Sequence, residues 1–277
     1  MYNLSIHPPL AKIEKPRKFR IGVTSYVYPA DVLTNVSSIA PFVYDVELAF
    51  YESQKSDSLP EVSVMQQINE LAQVHKLTFT VHLPVDISPA SSERKERRNA
   101  IKAIKHIFGL TKESPVAAYI LHLTGIENNT DIDTISKWQG NASETLKELT
   151  DSLYDPGMLC LENLFYNFSW CDTIIDNFQL GICIDTGHLL ISGVDVTAHF
   201  KKYLRYSRVI HFHGVAGGKD HLSLTMLPSD IFNSVMGEME HFHGVLTVEV
   251  FNYDDALSSL KRIETWLIKN PQSTKLS

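Results

Sequence analysis

The sequence predicts an α/β protein built as a closed (β/α)8 barrel. Three observations carry this prediction. Short, near-continuously apolar runs of strand length recur eight times, each separated from the next by a longer segment. Several of those longer segments carry apolar residues at helical spacing. Strands buried on both faces and alternating with helices are the pattern of a parallel sheet. The chain has 277 residues, and a barrel of this kind takes roughly 250 as one domain. A doubly wound open sheet is the alternative. The glycine-rich G-x-G-x-x-G turn that such a fold places after its first strand is missing.

Residues 1–18 are polar and carry Pro8, Pro9 and Pro16, so they are predicted to form an N-terminal extension to a single barrel domain, 19–277. The predicted strands are FRIGVTS (19–25), YDVELAF (44–50), LTFTVHL (77–83), AAYILHL (117–123), MLCLENL (158–164), LGICIDT (180–186), SRVIHFHG (207–214) and GVLTVEVF (244–251). The predicted helices cover 60–76, 91–110, 141–154, 195–207 and 254–269. Ser91 and Ser92 with Glu93 mark the start of one of them, and Asp254 the start of the last. The stretches 124–141 and LFYNFSW (164–170) read as loops near the barrel mouth.

The hydrophobic share of 44% is ordinary for a globular protein, and the net charge of −7 counts against a nucleic-acid partner. Cys160, Cys171 and Cys183 form no C-x-x-C pair and imply free thiols in a reducing compartment. The first residues lack an apolar signal core, and no apolar run reaches membrane-spanning length. The expectation is a cytoplasmic protein with no membrane association.

Catalytic groups of such barrels sit at the C-terminal ends of the strands. Strand two carries Glu47, strand three ends in His82, strand four in His122 and strand five in Glu162. Strand six ends in Asp185, with His188 three residues on. Strand seven ends in His213, strand eight in Glu249, and the loop after strand seven adds Asp220 and His221. A carboxylate buried alone in an apolar run is costly, and several converging on one rim repel one another unless cations intervene. Nitrogen and oxygen donors suit zinc, manganese or iron. "HFHGV" occurs at 211–215 and again at 241–245. The first copy closes strand seven at the catalytic rim. The second opens strand eight, so His241 and His243 fall at the opposite end as loop residues with a structural or neutral role. His211 shares the facing of His213 one layer deeper, where it either supports the ligands or joins them. His7, His75, His106 and His199 read as surface or packing residues.

These residues resemble the xylose-isomerase-like TIM barrels, a superfamily that includes the endonuclease-four-type apurinic endonucleases. The resemblance rests on TVHLP, LHLTG, LEN, DTGH, HFHG, KDHLSL and VEV. Sugar epimerases and isomerases of that superfamily use one metal, which here implies Glu162, Asp185, His213 and Glu249. Its phosphodiesterases add ligands, here His82, His122, His188 and His221, to hold more ions. In the endonucleases an Asp-x-His pair follows strand seven. Here Asp220 and His221 are adjacent, a departure that counts against a third ion.

Within the superfamily, GVTSYVYPADVLTNV, DVELAFYES, FTVHLP, LENL, DTGHLL, HFHGV with KDHLSL, and LTVEVF are similar to the cobamide-remodelling phosphodiesterases. The resemblance implies a hydrolase acting on a corrinoid substrate, freeing the lower-ligand riboside from cobinamide phosphate. It implies divalent ions, zinc or manganese, two in number, with one or three as alternatives. Glu162 is expected to orient the attacking water or bridge the ions, with Glu249 as the alternative. His188 assists, and Tyr26, Lys219 and Glu47 are expected to contact substrate. A single-metal sugar isomerase or epimerase is the rival reading.

Overall fold

The computed structural model describes residues 9–13, 18–53, 59–128 and 130–270. The strands are β1 (Arg20–Thr24), β2 (Asp45–Ala49), β3 (Thr78–His82), β4 (Val116–Leu121), β5 (Leu159–Glu162), β6 (Gly181–Asp185), β7 (Ser207–Phe212), β8 (Gly214–Ala216), β9 (Lys219–Leu222) and β10 (Val245–Val248). All but β8 and β9 form one closed parallel barrel in the order β1-β10-β7-β6-β5-β4-β3-β2. Seven of the eight barrel strands fall inside a run predicted from sequence, and β4 begins one residue before its run. The strands β8 and β9 form an antiparallel hairpin above β7, which the sequence did not announce.

The helices are α1 (Val32–Ile39), α2 (Val62–His75), α3 (Arg94–Leu110), α4 (Ile132–Thr150), α5 (Asp172–Phe178), α6 (Thr186–Ile191), α7 (Val196–Tyr203), α8 (Ser229–Glu238) and α9 (Tyr253–Lys269). Helix α4 begins well before the predicted residue 141. Asp131 caps it by accepting from the backbone of Asp133 and Thr134, and the buried Trp138 indole donates to Thr124 O at 3.0 Å. Packing of Trp138 carries the helix through Gly140 and Asn141 despite their low helix propensity. Asn252, not Asp254, caps α9, accepting from the Asp255 N–H at 2.9 Å. The cap position of α3 is Glu93, whose N–H is held by Ser91 Oγ. The described part of the N-terminal segment packs onto the barrel. Leu10 and Ile13 are buried, and Tyr253 donates to Pro9 O at 3.2 Å.

A small cluster of Ala118, Ile120, Cys160, Cys183 and Val209 lies apart from the main core. These side chains share the strand facing that points into the barrel. Two residues further along the same strands stand His122, Glu162, Asp185 and His211. The period of two therefore turns an apolar plug into a polar layer within one step.

On the opposite side of the barrel interior, Asp45 is fully buried. It accepts from Thr78 Oγ1 (2.7 Å), Thr80 Oγ1 (2.9 Å) and Thr80 N (3.2 Å). Burial pushes its pKa up to about 7, the threonine donors hold it back only in part, and Glu47 adds a smaller upward push. An acid whose folded pKa lies above its unfolded value stabilises most at pH below the unfolded value of about 4. That stability is lost as pH rises through about 7. Asparagine mimics the neutral carboxyl. The Asp45→Asn protein is therefore expected to gain on the order of 2 kcal/mol over the parent at pH 8 and almost nothing at pH 4. Thermal melts at the two pH values check this, and an unraised melting temperature at pH 8 would sink it.

Candidate metal centre

Glu162 ends β5 with only 1% of its side chain exposed. Its Oε2 lies 2.9 Å from His122 Nε2 and 3.4 Å from His82 Nε2. Its Oε1 lies 3.4 Å from His188 Nδ1 and 3.5 Å from His211 Nδ1. One carboxylate thus faces two sets of donors, one per oxygen. The first set is His82 and His122, delivered by the ends of β3 and β4. The second is Asp185, His211 and Glu249, whose donor atoms and one from Glu162 all lie within 4.8 Å of one another. A third set gathers His188, Asp220 and His221, and His213 groups with His221 and Glu249. The structure brings His82, His122, Glu162, Asp185, His188, His213, His221 and Glu249 to one end of the barrel.

Hydrogen bonds aim several of the rings. His82 Nδ1 lies 2.9 Å from Leu83 O, which fixes the proton there and leaves Nε2 free toward Glu162. Gly187 in the DTGH turn passes so close to His213 that a Cβ there would sit 2.0 Å from the ring. The glycine lets α6 start against the imidazole.

One sequence expectation needs correction here, and one open alternative narrows. Glu47 was expected to touch substrate. It is fully buried, and its Oε2 holds His211 Nε2 at 2.8 Å. For His211 the sequence allows either support of the ligands or a place among them. It is paired in register with Asp185, and its Nδ1 points into the carboxylates, 3.0 Å from Glu249 Oε2. The Glu47 bond fixes the other ring nitrogen, the usual way a carboxylate orients a metal-binding histidine. The adjacency of Asp220 and His221 also proves no obstacle. Neighbours on a regular strand face opposite sides. His221 has φ +52°, which breaks the alternation and allows both residues to converge with His188. A non-glycine residue held there costs about 1–2 kcal/mol, the kind of strain that functional sites retain.

Burial alone would raise the Glu162 carboxyl pKa, but His122 and His211 beside it hold it well below its usual range. Burial likewise opposes ionisation of Asp185, and His213 and His188 outweigh it. The same pairs act in reverse on the rings. Burial lowers the pKa of His213, yet Asp185 brings it up to about 9, and His82, His188 and His211 are also raised against their burial. Protons on the imidazoles thus balance the buried carboxylates, and a divalent ion has to displace them, so its affinity rises with pH. His211 Nδ1, Glu249 Oε2 and Glu47 Oε1 are buried without a hydrogen-bond partner among the described residues. The first two face each other without hydrogen-bond alignment, although they are 3.0 Å apart. Converging buried donors left unsatisfied are the arrangement that a cation completes. The residues fit a divalent cation.

At the mouth, Tyr26 is half exposed with its ring 6.0 Å from that of Tyr51, and Lys219 is exposed on β9. Of LFYNFSW, Phe165 alone faces the centre, its ring 4.6 Å from His188, while Tyr166 and Phe168 are buried. His241 and His243 lie at the far end. There they line a cavity of about 580 Å³ with Lys18, Arg20, Arg205 and Arg208. His199 packs against Tyr203 and Phe168, burial lowering its pKa to about 4. His75 ends α2, His106 is exposed on α3, and His7 lies outside the described residues. No helix among the described residues is long and apolar enough to cross a membrane. Sequence reasoning missed Tyr51, whose ring lies 4.9 Å from that of His82.

The model of the xylose isomerase-like TIM barrel family matches residues 44–270. The chain belongs to the xylose isomerase-like TIM barrel family. Members of this family of barrels include epimerases and endonucleases, so the chain sits among enzymes that bind divalent metals. Solved barrels share the fold at low identity. A D-tagatose 3-epimerase-like protein is 21% identical, with a TM-score of 0.73 over 91% of this chain and 99% of its own. The 3-keto-D-glucoside 4-epimerase YcjR from E. coli is 14% identical, with a TM-score of 0.68 over 91% of this chain and 99% of its own. A structure named AsfvAP:AG is 15% identical, with a TM-score of 0.66 over 92% of this chain and 99% of its own. No curated protein matches the sequence.

Proposed function

We propose that the chain is a metal-dependent phosphodiesterase, and that it cleaves the nucleotide-loop phosphoester of a cobamide to cobinamide phosphate and the lower-ligand riboside. The observation that carries this reading is the two-sided Glu162, with His82 and His122 on one oxygen and His188 and His211 facing the other. A single-ion isomerase has no work for the first pair. Hydrolysis of a phosphodiester does, because both the entering and the leaving oxygen need stabilising. Bound divalent ions would offset the phosphate charge and make a water acidic enough to attack at neutral pH. Zinc or manganese would suit the donors, and His82, His122, Glu162, Asp185, His211 and Glu249 offer enough of them to hold two ions. The chain's own residues do the positioning. His82, His122, Asp185, His211, His213, His221 and Glu249 are the holding groups. Glu162 orients the attacking water, and His188, fixed through Nδ1 by Asn163 O at 3.0 Å, turns Nε2 toward the leaving oxygen. Tyr26 and Lys219, at the mouth, contact the corrinoid. The choice of a corrinoid substrate rests on the sequence resemblance.

One observation favours a second reading. Glu162, Asp185, His211 and Glu249 could hold one ion without His82 or His122, which would suit a sugar isomerase or epimerase with Glu162 and Glu249 moving protons at carbon. Product analysis by mass separates the two. Metal-loaded protein incubated with an adenosylated cobamide is expected to give cobinamide phosphate and free riboside, and chelator is expected to abolish both. No product from protein with bound metal would remove the cobamide assignment and move the isomerase reading to the front.

A further inference from the structure

Tyr51 stands just beyond β2, and its place is fixed from both sides. The Phe50 N–H donates to His82 O at 3.1 Å, and the Val85 N–H donates to Tyr51 O at 3.0 Å. Its ring meets His82 edge-on at 4.9 Å between centroids and Phe251 edge-on at 6.0 Å. The phenol oxygen is buried and has no hydrogen-bond partner among the described residues. The charged groups that bear on it are Glu249, Glu47, His211 and Glu162, the members of the metal centre. Two nearby hydroxyls at the same end are engaged, whereas Thr247 Oγ1, like the phenol, is buried without a partner among the described residues. Thr24 Oγ1 donates to Val250 O at 2.7 Å, and Ser25 Oγ accepts from the Ala49 N–H at 3.2 Å. A phenylalanine would provide the same ring packing without burying an unpaired hydroxyl, which is costly to leave unmade. The hydroxyl therefore needs an acceptor that arrives from outside.

We propose that the Tyr51 hydroxyl donates a hydrogen bond to a non-bridging oxygen of the phosphoryl group bound at the metal centre, and is thereby a catalytic residue. The inference rests on the phosphoester reading above. Charge on those oxygens changes as phosphorus is attacked, and a fixed donor in a space walled by His82 and Phe251 needs no reorganisation to meet it. Being neutral, the phenol can stand among buried carboxylates without pairing off with one as a lysine would.

The test uses metal-loaded wild-type protein and Tyr51→Phe, titrated with inorganic phosphate by calorimetry and by tyrosine ultraviolet difference spectroscopy. The variant is expected to keep its metal content and to melt, without phosphate, no lower than wild type. Its phosphate affinity should fall roughly tenfold or more, the worth of a hydrogen bond to a charged group. The phosphate-induced tyrosine difference signal should disappear, and kcat on the phosphodiester should fall more than KM rises. Equal phosphate affinity and an unchanged difference signal in the variant would overturn the proposal. Loss of metal from the variant would overturn it too, since the phenol would then be serving the ions. Wild type alone decides the underlying reading. If it carries metal but neither binds phosphate nor hydrolyses a phosphodiester, both inferences fall together.

Discussion

Glu162→Gln is expected to lose at least a thousandfold in kcat/KM on a phosphodiester, together with much of the bound metal. The argument starts from charge. The carboxylate is buried, and its two oxygens serve separate sets of donors, so one residue supports both halves of the centre. Glutamine keeps the shape but removes the charge. It also places an NH2 where one set of donors needs an oxygen, and an amide nitrogen repels a cation. A thousandfold is about 4 kcal/mol of transition-state stabilisation, a size that one bridging anion lost from two electrostatic contacts can supply. The fold should survive, because the side chain volume is unchanged and the surrounding rings can shed their protons. His82 is raised chiefly by Glu162 working against burial, so the substitution lets it return to the neutral form. Metal analysis, steady-state kinetics and a thermal melt on one preparation check all three parts. A variant with full metal content and near-parental activity would show that Glu162 is not the shared group.

The barrel was legible because its signals are local. Each strand is a short apolar run, and the period of two that buries Cys160 and Cys183 also turns Glu162 and Asp185 into the barrel interior two residues later. The catalytic end followed from strand direction alone, which also separated the two copies of HFHG. The centre's inner wiring was less legible. Whether His211 supports the ligands or joins them depends on where its ring turns, and that is set by Glu47, 164 positions away in sequence. Nothing local to either residue announces the pairing. The convergence of Asp220 with His221 depends on a positive φ at His221, a backbone state that a non-glycine residue seldom adopts. Tyr51 was missed because a tyrosine after a strand most often only packs, and its unpaired hydroxyl is a property of the folded surroundings. Helix α4 shows the same limit from the other side. The stretch 124–141 reads as a loop, and one buried tryptophan, Trp138, decides otherwise for most of it.

The pair His82 and His122 decides between the two chemistries. On the phosphodiesterase reading, replacing both with glutamine is expected to remove about one metal ion per chain and at least a hundredfold of phosphodiester hydrolysis, because one of the two ions that would stabilise the entering and leaving oxygens would lose its histidines. The remaining set of Glu162, Asp185, His211 and Glu249 should still bind an ion. Glutamine roughly preserves volume, which matters because the His82 ring is packed against both Tyr51 and His122 at 4.9 Å. Alanine at that buried position would add a cavity and confuse loss of metal with loss of fold. His122 is the more tolerant site, with 18% of its side chain exposed. On the phosphodiesterase reading the two residues are indispensable to turnover even though the protein stays folded and metal-bound. On the isomerase reading they contribute nothing to the ion that polarises the sugar, and turnover of a ketose would survive their loss. Metal content measured beside both activities therefore separates the chemistries. A double variant that binds as much metal as the parent and hydrolyses a phosphodiester as fast would leave the first set of donors without a role. The two-sided geometry of Glu162 would then be a packing arrangement rather than the basis of the reaction.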